Sequence, residues 1–464
     1  MIRSEVPGSI EEFHAAVVHE CESSVILGAY ASQRSAHYLF ADASRGIYEL
    51  SHALGEDRCL RAVSGAVAAL SWDEREMAQE RGIRFESLPD ARPLRDRFGV
   101  MPQAVVAHGE GLMHFVVGPV HAGIIEPGRF TISSGGETVV HLDAQLGYAH
   151  RGVELDLEGE DAREASRKIA RICGACTVAR SYAYALAVEE LAGIEVDVET
   201  DLVRLILAEL ERIGNHLSDL AASASGGGWN PGLTRGLGLK ERMMRLCDRA
   251  AGHRLLFDSI VPGGVRVRDL QMATELRALE QEVFAYLDAL FGNASLVSRW
   301  HRAGVLSHAV ARAGGAVGPA HRASRGKVDL RTVLPYGAYR VLAPKTARAH
   351  AGDAFSRCTV KRDEIVESFR LIGDALRALG RTAIPQPVAI PQISGRTVAA
   401  VEGPRGAEIV AVHADACGRL ERVHVISASY RNWPLVARAM DGNIVPDFPL
   451  VNKSFNLCYA CADR

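Results

Sequence analysis

Four of the nine cysteines fall into two C-x-x-C pairs, Cys173-Gly174-Ala175-Cys176 and Cys458-Tyr459-Ala460-Cys461. Thiolates are soft ligands, and two such pairs supply four of them, enough to hold a transition metal. One pair lies in the first half of the 464 residues and the other at the end, so the whole fold must close before they can share an ion. The residues alone leave three readings open: a metal-dependent redox centre, a structural zinc site of four cysteines, or a dithiol redox couple. A zinc ribbon closes over a short loop, and neither pair has flanking ribbon turns, which favours the first. Cys21, Cys59, Cys247, Cys358 and Cys417 stand alone and are expected to be buried, inert thiols. An odd cysteine count in a long chain argues against a disulfide framework.

The first pair is expected at the N-terminus of a helix through Ala183, Leu186, Ala187 and Leu191, stopped by Gly193. There the helix dipole and free N–H groups favour thiolates, and Gly174 is expected to allow a tight turn between the two ligands. Before it, the spacing predicts a helix over 10–21, strands over 24–30 and 36–41, and helices near 46–54 and 58–70. These elements make a small α/β unit. The proline- and charge-rich stretch 89–99 reads as a linker. A second domain begins near 105 with strands at 114–119, 129–133 and 137–142. An amphipathic helix over 201–221, with His216 on its polar face, is broken by Gly226-Gly227-Gly228. Further helices are expected at 238–257, 268–292, 294–303 and 359–379, a turn at 261–264, and strands at 397–402, 407–413 and 420–426. A short helix is expected to start at Trp433-Pro434, with proline in its first turn.

Composition excludes some roles. Hydrophobic residues make up 48% and charged residues 23%, and the net charge is −3, so nothing predicts a nucleic-acid partner. Neither a membrane span nor a signal peptide is visible, which places the chain in the cytoplasm, with membrane contact made through partner subunits.

Taken together, Arg171-Ile172-Cys173-Gly174-Ala175-Cys176 and the closing Cys458-x-x-Cys461 resemble the large subunit of nickel–iron hydrogenases. The resemblance is to their complex I-related branch, which includes the formate hydrogenlyase large subunit. Gly118-Pro119-Val120-His121, Glu126-Pro127-Gly128, Gly147-Tyr148-x-His150-Arg151-Gly152-x-Glu154, Glu209-x-Glu211-Arg212-x-x-Asn215-His216, Gly352-Asp353-x-x-x-Arg357 and Gly403-Pro404-Arg405-Gly406 extend it in order. Trp72-x-Glu74-Arg75-Glu76, Gly82-Ile83-x-Phe85 and Pro89-Asp90-x-Arg92 resemble the small α/β subunit of complex I that precedes its quinone-site subunit.

The resemblance implies an α+β chain. A small α/β domain like that complex I subunit, over 1–98, is fused to a mainly helical catalytic domain with small sheets, over 99–464, like the hydrogenase large subunit and the quinone-site subunit. The resemblance implies that Cys173 and Cys458 bind nickel only, while Cys176 and Cys461 bridge nickel to an iron carrying cyanide and carbon monoxide. Glu126, otherwise an exposed turn carboxylate, becomes the proton gate. Arg405, otherwise a hairpin residue, contacts the cyanide. Arg151 and Glu154 belong to a motif beside the chain end. Where many hydrogenases end in histidine and bind magnesium, this chain has Arg464, which is expected to pair with Glu154. His121 resembles the histidine of the complex I quinone site, and a buried structural histidine is an equal reading. The resemblance further implies an iron–sulfur small subunit like that of complex I, membrane-arm subunits, and a formate dehydrogenase or ferredoxin-like donor. It places the assembly on the inner face of the membrane. Two positions depart from the family pattern. Arg180 stands where these enzymes carry histidine, and Asn456-Leu457 replaces Asp-Pro before the closing pair. Together they are expected to make the pocket more positive.

Overall fold

A computed structural model describes residues 3–5, 8–95, 102–121, 126–380 and 383–464. The N-terminal unit contains β1 (Arg3–Glu5), α1 (Ile10–Ser23), β2 (Val25–Ala31), β3 (Ser35–Asp42), β4 (Gly46–Ala53), β5 (Cys59–Arg61), α2 (Ser71–Arg81) and β6 (Arg84–Glu86). A second sheet follows, β7 (Leu112–Val117), β8 (Arg129–Gly135) and β9 (Thr138–Gln145). Helices then dominate: α3 (Val153–Asp156), α4 (Ser166–Ala170), α5 (Thr177–Ala192), α6 (Val198–Gly226) and α7 (Asn230–Ala251). After the tight hairpin of β10 (Ile260–Val261) and β11 (Gly264–Val265) come α8 (Ala273–Phe291), α9 (Ala294–Trp300), α10 (His308–Ala313), α11 (Gly318–Ala323), α12 (Leu330–Val333) and α13 (Ala354–Leu379). The chain closes with β12 (Gly395–Gly403), β13 (Gly406–Ala414), β14 (Leu420–Ile426), α14 (Ala428–Met440), α15 (Phe448–Phe455) and α16 (Tyr459–Asp463).

The arrangement is α+β and layered. The first sheet has the order β1-β4-β3-β2. One face packs Ala29, Tyr38, Phe40 and Leu50 against Phe13 and Val17 of α1 and Met77 of α2. The other packs Leu27, Tyr30, Leu39 and Ala41 against Val398, Ile409, Ala411 and Ile426 of the β12-β13-β14 sheet. The β12-β13-β14 sheet turns Val401, Val410 and Val412 toward the main helical core. Burial on both faces is why β3 is a continuous buried run rather than an alternating one.

Several expectations need correction. Residues 46–54 are not helical: β4 pairs antiparallel with β3 over eight residues, and Tyr48 and Leu50 are buried. Sheet pairing outweighs the weak helical spacing. Likewise 58–70 holds strand β5 and a short 3-10 turn, and the helix starts only at Ser71. Helix α14 starts at Ala428, capped by Ser427, whose hydroxyl accepts from Tyr430 N–H; Pro434 lies inside it rather than in its first turn. The expected linker is anchored as far as Arg95, since Arg75 pairs with Asp90 and Arg92 with Asp143. The expected boundary at 98/99 lies outside the described residues. The largest revision concerns α6. Its polar face is buried too: Arg212 and His216 bond Glu364, and Glu209 takes Arg331. Finally, Cys417 is exposed and Cys21 half-buried, while Cys59, Cys247 and Cys358 are buried.

Candidate metal centre

Two segments meet at the sulfurs. Cys173 and Cys176 precede α5, with Cys176 at its N-cap and Gly193 ending it at a positive φ of 65°. Gly174 serves by its small size: a Cβ there would lie 2.8 Å from Leu255 Cδ1. The closing segment runs across this turn and carries Cys458 and Cys461. The Sγ atoms of Cys173, Cys176 and Cys461 lie within 4.8 Å of one another, and Cys458 Sγ is 3.1 Å from Cys173 Sγ. All four are free thiols, and Cys176 and Cys461 are wholly buried.

Backbone contacts hold the closing segment there. Ser429 Oγ accepts from Cys458 N–H at 2.9 Å, the Trp433 indole donates to Cys458 O at 3.2 Å, and Ser427 Oγ donates to Cys461 O at 3.0 Å. Asp463 accepts from Gly147 and Ala149 N–H at 2.7 and 2.9 Å.

The electrostatics fit a cation. Hydrogen bonds from the other three sulfurs hold Cys461 well below the ordinary thiol range, with Arg180 adding to the effect. Cys176 is pushed well above it, by its hydrogen bonds to Cys173 and Cys461 and by burial. One thiolate among thiols is what packed sulfurs reach without a cation, and a bound metal ion lets all of them ionise. Four converging sulfurs, in a pocket lined by alanines 175 and 460, suit a soft transition ion.

Two guanidinium groups border the cluster. Arg405, in the turn between β12 and β13, has Nη1 3.6 Å from Cys176 Sγ and 2.9 Å from Asn215 Oδ1, while its Nε donates to Asn456 O at 2.6 Å. Gly406 makes this turn possible. Its φ is 127°, and a Cβ there would lie 2.7 Å from Gly318 N. Arg180 Nη2 lies 3.2 Å from Cys461 Sγ and 2.9 Å from Glu408 Oε2. Acidic groups accompany both departures from the family pattern: Glu408 pairs with Arg180, and Asn456 donates its amide to Asp219, an anion beside Arg405. Burial raises Glu408 to about 7, with Arg180 opposing. Glu211, which accepts Val178 and Ala179 N–H at the start of α5, is likewise raised to about 7 by burial.

Glu126 is half-buried and near Cys461. Desolvation raises its carboxyl, as does the Cys461 charge, against the Ala460 backbone and Arg151. Glu154 and Arg464 do pair, at 3.1 Å. Arg151 donates to the carbonyls of Arg171 and Ile172, bracing the first pair from behind. His121 is not at the sulfurs. Its Nε2 lies 2.8 Å from Gly128 O, and its ring faces Phe130 and Tyr459. Sequence reasoning did not single out Glu408, Asp219, His424 or Lys361. It quoted Glu211, Asn215 and Glu76 inside motifs without assigning them roles.

The family model described as respiratory-chain NADH dehydrogenase, 49 Kd subunit, matches residues 232–391 and 382–464, and that described as nickel-dependent hydrogenase matches 151–219. The carbon monoxide-induced hydrogenase of Rhodospirillum rubrum is 30% identical over 357 residues, covering 75% of this chain and 98% of the relative. The chain belongs to the family that unites nickel-dependent hydrogenases with this NADH dehydrogenase subunit. Within this family, formate hydrogenlyase subunit 5 of Escherichia coli (strain K12) is 29% identical over 450 residues, covering 87% of this chain and 76% of the relative. An NADH-quinone oxidoreductase component of Herpetosiphon aurantiacus is 28% identical over 361 residues, covering 75% of this chain and 97% of the relative. The family is one of oxidoreductase subunits, and its members include both hydrogenases and quinone reductases. Among the described residues, no helix is long and apolar enough to cross a membrane.

Proposed function

We propose that this chain is the catalytic large subunit of a membrane-associated nickel–iron hydrogenase complex that interconverts protons and hydrogen. The observation that carries the reading is the convergence of Cys173, Cys176, Cys458 and Cys461 from opposite parts of the chain, with Arg405 beside Cys176 and Glu126 near Cys461. The four sulfurs would hold a nickel–iron pair, whose iron carries cyanide and carbon monoxide and which supplies the two-electron chemistry when bound. The residues of the chain then do the rest. Glu126, raised by its partly desolvated position, exchanges a proton with the sulfur edge of the site. Asp463, on which the Glu126 charge acts, lines a cavity of about 360 Å³ between α2, β9 and α14, which would give protons a way to solvent. Arg405, fixed by Asn215, Asp219 and the Asn456 carbonyl, presents a permanent cation to small anionic ligands. The apolar wall of alanines and Leu457 keeps bulk water out.

In this reading residues 1–98 are a small α/β domain of the complex I type, and residues 99–464 are the catalytic domain. Electrons leave through an iron–sulfur small subunit. Membrane-arm subunits hold the assembly on the inner face of the membrane, and a formate dehydrogenase or ferredoxin-like protein feeds it. A second reading, a hydrogenase-derived coupling subunit without hydrogen turnover, draws on Arg180. A permanent cation 3.2 Å from Cys461 Sγ lowers the basicity of that sulfur. Metal analysis and infrared spectroscopy of the purified complex decide. Equal nickel and iron, with cyanide and carbon monoxide bands, support the hydrogenase. Neither metal supports the coupling role, and zinc alone refutes both.

A further inference from the structure

Arg464 lies three residues beyond Cys461 and is 1% exposed. Its guanidinium is gripped from two sides. Glu154 of α3 lies 3.1 Å away, and Glu76 of α2 lies 2.5 Å away. Glu76 belongs to the N-terminal unit, far from the cysteines in sequence, and is 3% exposed. Burial alone would raise Glu76, but Arg464 and Arg95 outweigh it and hold the carboxyl well below the usual range. Glu154 is held low in the same way, against burial, by Arg464, His424 and Arg422. Glu76, Glu154 and His424 bring their donor atoms within 4.8 Å of one another, and the Arg464 guanidinium supplies the cation they require.

The origin of each contact matters. The backbone ties on the closing segment, from Gly147, Ala149, Ser427, Ser429 and Arg151 N–H to Arg464 O, all come from outside the N-terminal unit. Glu76 does not. Helix α2 buries Asp73, Arg75 and Glu76, charges that a free helix would leave in water. Asp73 pairs with Arg431 of α14 at 2.5 Å and Glu80 with Arg422 of β14 at 3.3 Å, so α2 docks on three buried cations, Arg464 among them. Arg422 keeps Glu80 and Glu158 without Glu76, but Arg464 would keep Glu154 alone of its two ion-pair partners, and its buried charge would be left half answered.

We propose that the N-terminal unit is a clasp on the metal centre: Glu76 grips Arg464 and thereby holds Cys458 and Cys461 against Cys173 and Cys176. Docking of this unit and closure of the sulfur cluster then favour each other reciprocally. Glu76 is a positioning residue, acting through Arg464. The clasp rests on the reading that the four cysteines hold metal. Because it is tested on metal-free protein, it can fail while the metal analysis stands, and the reverse.

The free cysteines serve as built-in reporters. Native full-length metal-free protein is pulsed with a maleimide, and each site is read by mass spectrometry, for wild type, Glu76→Gln, Glu76→Asp and, as control, Arg45→Gln, which breaks an ion pair within the N-terminal unit. Glu76→Gln should speed labelling of Cys458 and Cys461 by at least about tenfold. Cys247 and Cys358, buried in the helical core, should keep their rates. Glu76→Asp should restore most of the protection, and Arg45→Gln should change nothing at the cluster. Unchanged labelling of Cys458 and Cys461, acceleration shared by Cys247 and Cys358, or acceleration confined to Cys59 each overturns the clasp.

Discussion

Asp219 of α6 is the anion on which the Arg405 side of the site depends. It has no exposure and lies between two cations, Lys361 Nζ at 2.7 Å and Arg405 Nη2 at 3.8 Å, with the Asn456 amide as a further donor. Burial works to raise its carboxyl, yet Lys361 and Arg405 outweigh this and hold it below the ordinary range. At an effective dielectric of about 20, the two attractions are roughly 6 and roughly 4 kcal/mol. Desolvation of three buried groups cancels much of this, and loss of one member of such a set costs about 3–5 kcal/mol. Asp219→Asn keeps the shape and strands two cations. Urea unfolding of the variant should show a loss of about 3–5 kcal/mol with the m value unchanged. The comparison is Arg242→Ala, which breaks a solvent-exposed pair with Glu282 and should cost under about 1 kcal/mol. The sign with pH follows from the depressed carboxyl. Its contribution is complete above the ordinary value near 4 and is lost as pH falls through the lower folded value, so the gap between wild type and variant closes on acidification. A cost below about 1 kcal/mol at pH 7, or a gap that widens in acid, refutes the argument.

The remaining predictions concern the cluster itself. Cys176→Ala and Cys461→Ala should each abolish nickel retention, measured by metal analysis after gel filtration, because three sulfurs cannot replace the four-ligand set. Glu126→Gln should lower hydrogen turnover by about 10²–10⁴-fold while metal content and infrared bands stay as in wild type; equal loss of metal would show a structural role instead. Glu211 and Glu408 are both raised to about 7 by burial, so each contributes stability that is full below the ordinary carboxylate value and lost as pH rises to about 7. Metal-free protein should therefore lose roughly 3 kcal/mol per such group between about pH 4.5 and 7, and Glu211→Gln should remove its share of that slope in thermal unfolding.

How much of this was legible in the sequence depended on how local each signal was. The two C-x-x-C pairs, the helix after Cys176 and the three C-terminal strands were legible, because spacing, a stop glycine and apolar runs are local. Residues 46–54 carry a weak helical spacing, and only the long-range pairing with β3 reveals the strand. His216 was assigned to a polar face, and the charges of α6 suggested water on that side. Their partners, Glu364 and Arg331, stand more than a hundred residues away.

Charge at the cluster shows the same limit most sharply. Arg180 and Asn456, taken singly, predicted a more positive pocket. The counter-charges that balance it, Glu408 on β13 and Asp219 on α6, become neighbours only after the sheet packs on α5 and α15 is in place. A guanidinium cannot lose its proton, so burial obliges the fold to supply a carboxylate or a cluster of acceptors for each one. Arg180, Arg405 and Arg464 are each answered in this way, by Glu408, Asp219, and Glu76 with Glu154. A substitution to arginine near the sulfurs is therefore informative only together with its distant acid, and the pair, not the single position, sets the potential that the metal site experiences.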